Sequence, residues 1–192
     1  CIHPDVMANS VTFGDTITYE FGPDYGDSEC IIFWGSEPDV ATPAQARVVH
    51  RALRRGSRLI VIDPRPIPMA KRADIWLRLR PGTDMALALA MQHVIINEEI
   101  YDKGFVEHYC YGFDRLKAHI QKYRPEWAAE VTGLSREDIL KAARMYATCR
   151  PGCIYIRLGS GAQQITSTQT CRAISLLIGL TANVDARGGN LL

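Results

Sequence analysis

The stretch that decides the fold is RLIVIDPRPIPMAKRADIWLRLRPGTDMALALAM, which spans residues 58–91. Its first part contains four consecutive apolar residues, Leu59 to Ile62, and leads directly into Asp63 and Pro64. An apolar run of this length is typical of a strand buried in a parallel sheet, and ligands bind beyond the end of such a strand. The stretch therefore predicts an α/β protein with a ligand at the carboxyl edge of its sheet.

The residues before this stretch complete a unit of strand, helix and strand. CIIFWG at 30–35 predicts a short apolar strand, and TPAQARVVHRALRRG at 42–56 predicts an amphipathic helix. Thr42 is the predicted N-cap, Pro43 suits the first helical position, and Gly56 ends the helix. Because the unit has the size of a βαβ motif, we expect its two strands to be parallel and joined by a right-handed crossover.

The remaining elements extend the same pattern. They are predicted as a strand at 75–79, a buried helix from Met85 to Ile96, a helix opened by the capping box of Ser135 and Asp138, a strand at 153–159 and an apolar helix from Cys171 to Leu180. The fold expected from this order is a Rossmann-like open parallel sheet flanked by helices, with a helical insertion.

The chain is predicted to be a single domain, and its two ends suggest a fragment of a longer polypeptide. It starts without Met and stops after a Gly-rich turn. We expect residues 1–29 to form an irregular lead-in, 30–100 the βαβ core, 101–149 the helical insertion, and 150–192 the return strand and helix.

Composition disfavours several classes of function. The chain has 22 Lys and Arg against 21 Asp and Glu, a net charge of +1, so no bulk field attracts nucleic acid. Its apolar runs are far shorter than the roughly 20 residues of a membrane span, so no direct membrane insertion is expected. The six cysteines form no CxxC pair, which disfavours structural zinc and a disulfide framework.

Four loops follow the predicted strands, and together they indicate a nucleotide. They are GSEPD at 35–39, DPRPIP at 63–68, RPGTD at 80–84 and GSGAQQ at 159–164. In the first loop, Gly35 and Ser36 would let backbone amides approach a phosphate. Asp63 lies where an acidic residue reaches the hydroxyls of a ribose, and Asp84 could accept hydrogen bonds from the N–H groups of a purine. An ordinary turn or helix cap explains any one loop alone, and the missing GxGxxG fingerprint disfavours an NAD site.

Longer strings resemble one known family. DPRPIPMAKRADIWLRLRPGTDMALALAM, HVIINEEIYDKGFVEHY and YGFDRLKAHI are similar to the molybdopterin-guanine-dinucleotide-binding region of the dimethyl-sulfoxide-reductase family of molybdenum and tungsten oxidoreductases. IIFWGSEPDVATP resembles the Gly-Ser-Asn-Pro loop of that family, and PEWAAEVTGLSREDILKAARMYA resembles its helical insertion. GSGAQQITSTQTCRAISLLIGLTANVDARGGNLL resembles the segment that closes over the cofactor.

The resemblance implies roles for individual residues. The residues implied in cofactor binding are Gly35, Ser36 and Glu37 against the dinucleotide, Asp63, Pro64 and Arg65 beside a guanosine, Gly82, Thr83 and Asp84 at the guanine, and Gln163 toward the pterin. Cys1 is implied as the metal ligand, because the family's ligand lies about sixty positions before its Asp-Pro-Arg loop and Cys1 lies 62 positions before Asp63. A thiolate is a soft donor that suits this metal, although Cys1 is also the first residue of the chain.

The implied parent protein is an anaerobic-type oxidoreductase. Its expected cofactors are a bis-molybdopterin guanine dinucleotide with molybdenum or tungsten and a [4Fe–4S] cluster in an upstream region, and its expected partners are a small-molecule substrate and an iron–sulfur electron-transfer subunit. Ile2 stands where the formate-oxidising branch has His, which disfavours formate, and Glu37 replaces the Asn of the family loop. Two alternatives stay open: a family copy that relays electrons without molybdenum, and a plain nucleotide-binding Rossmann module.

Overall fold

The protein is a parallel sheet flanked by helices. The computed structural model describes residues 3–14, 22–157, 159 and 165–191. The strands are β1 (Gly22–Pro23), β2 (Cys30–Trp34), β3 (Arg58–Ile62), β4 (Ile75–Leu77), β5 (Gly152–Ile156) and β6 (Asn190–Leu191). The helices are α1 (His3–Phe13), α2 (Pro38–Ala41), α3 (Pro43–Arg55), α4 (Asp84–Asn97), α5 (Lys103–Tyr109), α6 (Phe113–Ile120), α7 (Pro125–Thr132), α8 (Arg136–Thr148) and α9 (Ser167–Leu180), with a 3₁₀ helix at Pro68–Arg72.

The predicted βαβ unit is confirmed. Strands β2 and β3 are parallel neighbours in which Trp34 lies opposite Ile62. Helix α3 starts at Pro43 and ends at Arg55, and its C-cap is Gly56, whose φ of 103° is the left-handed conformation that glycine adopts without strain. Thr42 is the N-cap residue, but its side chain makes no capping hydrogen bond.

The sheet has an apolar layer on each face because successive side chains of a strand point to opposite sides. Cys30, Ile32 and Trp34 of β2 join the larger core, which α4, α8 and α9 cover. Ile31 and Phe33 join the smaller core beneath α3. All five residues of β2 are buried, as expected for the central region of a parallel sheet.

The order of the strands places a switch point between β2 and β5. The sheet runs β4-β3-β2-β5 and all its pairs are parallel. The chain builds outward from β2 to β3 and β4, and then returns to add β5 on the other side of β2. In an open α/β sheet the ligand crevice lies at such a reversal, beyond the carboxyl ends of the strands.

Local differences from the predicted elements have simple causes. The strand predicted at 75–79 ends at Leu77, and the one predicted at 153–159 spans Gly152–Ile156, since strand pairing and not apolar character sets the length. The lead-in contains an 11-residue helix, α1, which packs against α9. Ser135 is confirmed as the N-cap of α8, since its Oγ accepts from the Asp138 N–H at 3.0 Å; the Asp138 carboxylate accepts from the Ser135 hydroxyl at 2.7 Å.

Two findings concern the described part of the chain only. The five cysteines there are free thiols, and no cluster of three metal-binding side chains is found. None of the helices in those residues is both long and apolar enough to cross a membrane.

Candidate functional site

Two glycine loops approach each other at the crevice between β2 and β5. Gly35 ends β2 with a φ of 64°, and its N–H donates to the Ile62 carbonyl at 2.8 Å. Gly159 follows β5, and a Cβ added there would lie 3.6 Å from the Gly35 carbonyl oxygen. The backbones of the two loops therefore lie close together, and a Cβ at Gly159 would be in ordinary van der Waals contact with Gly35.

Ser36 supplies an unsatisfied polar atom at the same crevice. The residue is only 4% exposed, and its Oγ is enclosed with no hydrogen-bond partner in the described part of the chain. A buried hydroxyl without a partner is costly, so such groups are usually satisfied by a ligand or an ordered water. A phosphate group is a fitting partner, because its oxygens accept hydrogen bonds from hydroxyls and backbone amides.

Glu37 directs its carboxylate to backbone N–H groups. Its Oε1 accepts from Asp39 N at 3.2 Å, and its Oε2 accepts from Met69 N at 3.3 Å. The negative charge that replaces the expected Asn is thus held by α2 and by the 3₁₀ helix. It joins the loop after β2 to the segment that follows β3.

The Asp63 carboxylate is buried beneath Arg65. It is 2% exposed and accepts from Arg65 N at 2.8 Å, from Nε at 3.1 Å and from an Nη at 3.1 Å. The side-chain hydrogen bonds to Asp63 and the charge of Asp63 raise the pKa of Arg65. The side chain of Arg65 is nevertheless 68% exposed. The backbone is fixed as well, since Trp76 Nε1 donates to the Asp63 carbonyl and Arg78 Nε donates to that of Pro64. The loop after β3 therefore presents a guanidinium at its surface.

Asp84 lies against β2. The residue is 6% exposed, and its Oδ1 accepts from the indole N–H of Trp34 at 2.8 Å. In the same loop the Thr83 hydroxyl donates to the Arg80 carbonyl at 2.6 Å, and Gly82 has a φ of 84°. Asp84 therefore lies beside β2, whereas the Asp63–Arg65 ion pair follows β3.

Cys171 lies near this carboxylate and near Asp5, and Asp5 in turn lies near Arg157; none of the three was predicted from the sequence. Burial raises the pKa of Asp5 on α1, against the opposing effects of a hydrogen bond from Asn9 and the charge of Arg157. Burial also raises the pKa of Cys171 to about 12, and the charges of Asp5 and Asp84 add to that shift. The position of Arg157 directly after β5 was the available sequence signal for this group.

Two of the predicted residues cannot be placed. Cys1 and Gln163 lie outside the described residues. Their roles stay predictions from the sequence.

Comparison with known proteins identifies relatives of the chain. A sequence model described as "Molybdopterin oxidoreductase" matches residues 4–191. Acetylene hydratase of Syntrophotalea acetylenica is 44% identical over 155 residues, which is 80% of this chain, and formate dehydrogenase H of Escherichia coli is 36% identical over 158 residues, which is 82%. Among solved structures, acetylene hydratase from Pelobacter acetylenicus matches 95% of the chain with a TM-score of 0.87 and 39% identity.

The chain spans only part of each relative. The aligned region is 21% of the Syntrophotalea acetylenica enzyme, 22% of the Escherichia coli enzyme and 24% of the solved chain. What the match shows is therefore shared ancestry and fold over this region.

Proposed function

Because the chain belongs to the molybdopterin oxidoreductase family, we propose that it binds the guanine dinucleotide form of a molybdopterin cofactor at the crevice between β2 and β5. The observation that carries this proposal is the enclosed Oγ of Ser36 at the switch point of the sheet, which has no hydrogen-bond partner among the described residues. Members of this family are oxidoreductases, and we propose the same class of activity for the whole protein.

Each loop at the crevice receives a role. Gly35 and Ser36 hold the phosphates, and Arg65, fixed by Asp63, interacts with the guanosine end through its exposed guanidinium. Asp84, Gly82 and Thr83 form the guanine side, and Gln163 approaches the pterin. Glu37 acts indirectly, by connecting two of these loops.

The metal would be molybdenum or tungsten, with Cys1 as its protein ligand. Two pterins, in the bis form of the cofactor, would hold the metal, which supplies two-electron chemistry when bound. An upstream [4Fe–4S] cluster and an iron–sulfur subunit would carry the electrons onward.

Replacement of Cys1 by Ala should then abolish turnover while GMP content stays near that of the wild type. Normal turnover with an artificial electron carrier would contradict the ligand assignment.

Ser36→Ala tests the phosphate assignment. The variant should bind less cofactor, seen as less GMP released by acid from the whole protein. The folded protein without cofactor should not lose stability, because Ser36 Oγ has no bond to lose in the described part of the chain. We expect it to gain stability, by up to about 1–3 kcal/mol in unfolding free energy.

Ser57→Ala is the matched control. Ser57 is also buried, but its Oγ donates to the Ser28 carbonyl at 2.7 Å, so the change should cost roughly 0.5–1.5 kcal/mol and leave GMP content unchanged. Full GMP content in Ser36→Ala would refute the phosphate assignment.

Hydration is the second candidate reaction for the whole protein. The acetylene hydratase relative shares 44% identity, and Ile2 stands beside Cys1 where the formate-oxidising branch carries His. A hydratase adds water to its substrate without net electron transfer. Turnover of acetylene by the whole protein without an added electron acceptor would favour this reaction, and turnover of formate that depends on an acceptor would exclude it as the main activity.

A further inference from the structure

His50 lies between two charged groups outside the crevice. Its Nε2 is 2.6 Å from Asp39 Oδ1, and its Nδ1 is 2.9 Å from an Nη of Arg72. His50 belongs to α3, Asp39 to α2, and Arg72 to the end of the 3₁₀ helix. One imidazole therefore joins three separate elements.

The partners of the imidazole determine which of its nitrogens carries the proton. A guanidinium is only a donor, so Arg72 must donate to Nδ1, and that nitrogen must be unprotonated. Nε2 then carries the hydrogen and donates to the Asp39 carboxylate. The arrangement requires a neutral imidazole that both donates and accepts, which Lys, Arg or an apolar residue cannot provide.

The elements joined by His50 continue the two loops of the candidate site. Helix α2 begins directly after Gly35, Ser36 and Glu37, and the 3₁₀ helix begins a few residues after Asp63 and Arg65. Glu37 adds a second connection, because it accepts from the backbone of both α2 and the 3₁₀ helix. The loops after β2 and β3 are thus connected by the side chains of His50 and Glu37.

We propose that His50 is a positioning residue for the dinucleotide site: it sets the distance between the phosphate loop and the loop that holds the guanosine end. This inference rests on the proposed function. A dinucleotide contacts both loops at once, so its binding depends on their separation, whereas the fold has two large apolar cores that do not involve the imidazole. Loss of groups that orient metal ligands typically costs roughly 10–100-fold in affinity or activity, and we expect a loss of the same order here.

GDP is a suitable probe, because it carries guanosine and a pyrophosphate. Its binding to the cofactor-free whole protein is measured by calorimetry, together with the melting temperature of each variant. We expect His50→Leu to weaken GDP binding by roughly 10–100-fold. His50→Gln should bind GDP nearly as well as the wild type, because an amide can still donate to Asp39 and accept from Arg72.

His108→Leu is the control for loss of a helical histidine. His108 is exposed on α5, where its Nδ1 lies 2.7 Å from the Gly104 carbonyl oxygen, and its replacement should leave GDP binding unchanged. Wild-type affinity for GDP in His50→Leu would overturn the inference while the proposed function stands. Equal losses of GDP affinity in His50→Leu and His50→Gln would do the same. A wild-type protein that does not bind GDP would remove both.

Discussion

At the scale of single residues, the site depends on buried polar groups that are held by specific partners. Asp84 is almost fully buried, and its carboxylate accepts a hydrogen bond from Trp34, a residue of the larger core. Asp63 is equally buried and is held by Arg65. Carboxylates in such positions are stable only when hydrogen-bonded or paired, so each has a structural role in addition to any contact with a ligand.

We predict that Asp84→Ala lowers the unfolding free energy by about 1–3 kcal/mol, because the buried indole N–H of Trp34 loses this acceptor. Asp84→Asn should cost less, since an amide oxygen still accepts. Urea unfolding of the whole protein measures both. Asp114→Ala removes an exposed acid from the first turn of α6 and controls for the helix dipole. Equal losses in Asp84→Ala and Asp114→Ala would show that the bond to Trp34 contributes little.

How far the sequence predicts the site also differs from residue to residue. Asp63 was predicted at the edge of the sheet from the apolar run before it, and it lies there. Its pairing with Arg65 was not predicted, because a carboxylate after a strand can face either a ligand or a neighbour. Asp5 and Arg157 were missed because their charges interact only in the folded chain, between α1 and the residue after β5, which are far apart in the sequence.

At the scale of elements, α4 is fixed at both ends. Its first residue, Asp84, bonds to Trp34, and the residue after its last turn, Glu98, forms a two-fold ion pair with Arg144 of α8 at 2.8 and 2.7 Å. The βαβ unit and the capped helix α8 were predictable from local patterns. The place of β5 beside β2 was not, because it depends on strand pairing across the whole helical segment between them.

The pair of Glu98 and Arg144 predicts a pH dependence of stability. The hydrogen bond from Arg144 lowers the pKa of Glu98, so the pair stabilises the fold above the ordinary Glu pKa and loses this effect as pH falls through the lowered value. Arg144→Gln should reduce the unfolding free energy only slightly at neutral pH, because both side chains are partly exposed and the pair is screened by solvent.

The difference between Arg144→Gln and the wild type should vanish in acid. Unfolding is measured at neutral pH and at a pH below the lowered pKa of Glu98, in both cases at low salt. Lys141→Gln on the same helix is the control, since Lys141 forms no ion pair in the described part of the chain. A difference that persists unchanged in acid would argue against the assigned role of the pair.

At the scale of the whole molecule, the two faces of the sheet have different tasks. The larger core joins α4, α7, α8 and α9 into a rigid support, and the smaller core carries α3, which connects the two site loops through His50. We expect ligand binding to depend on the loops at the carboxyl edge of the sheet, as in other doubly wound folds. The family relationship covers residues 4–191 and implies a molybdopterin cofactor, whereas local patterns alone indicated only a nucleotide.

Binding of a molybdopterin guanine dinucleotide by this chain is tested most directly by the joint content of metal and GMP in the purified whole protein. Metal is measured by mass spectrometry, and GMP is measured after release by acid. The account predicts molybdenum or tungsten at a level near that of the protein, with twice as much GMP as metal. Protein that is folded and free of both metal and GMP, when produced in cells able to make the cofactor, would contradict it.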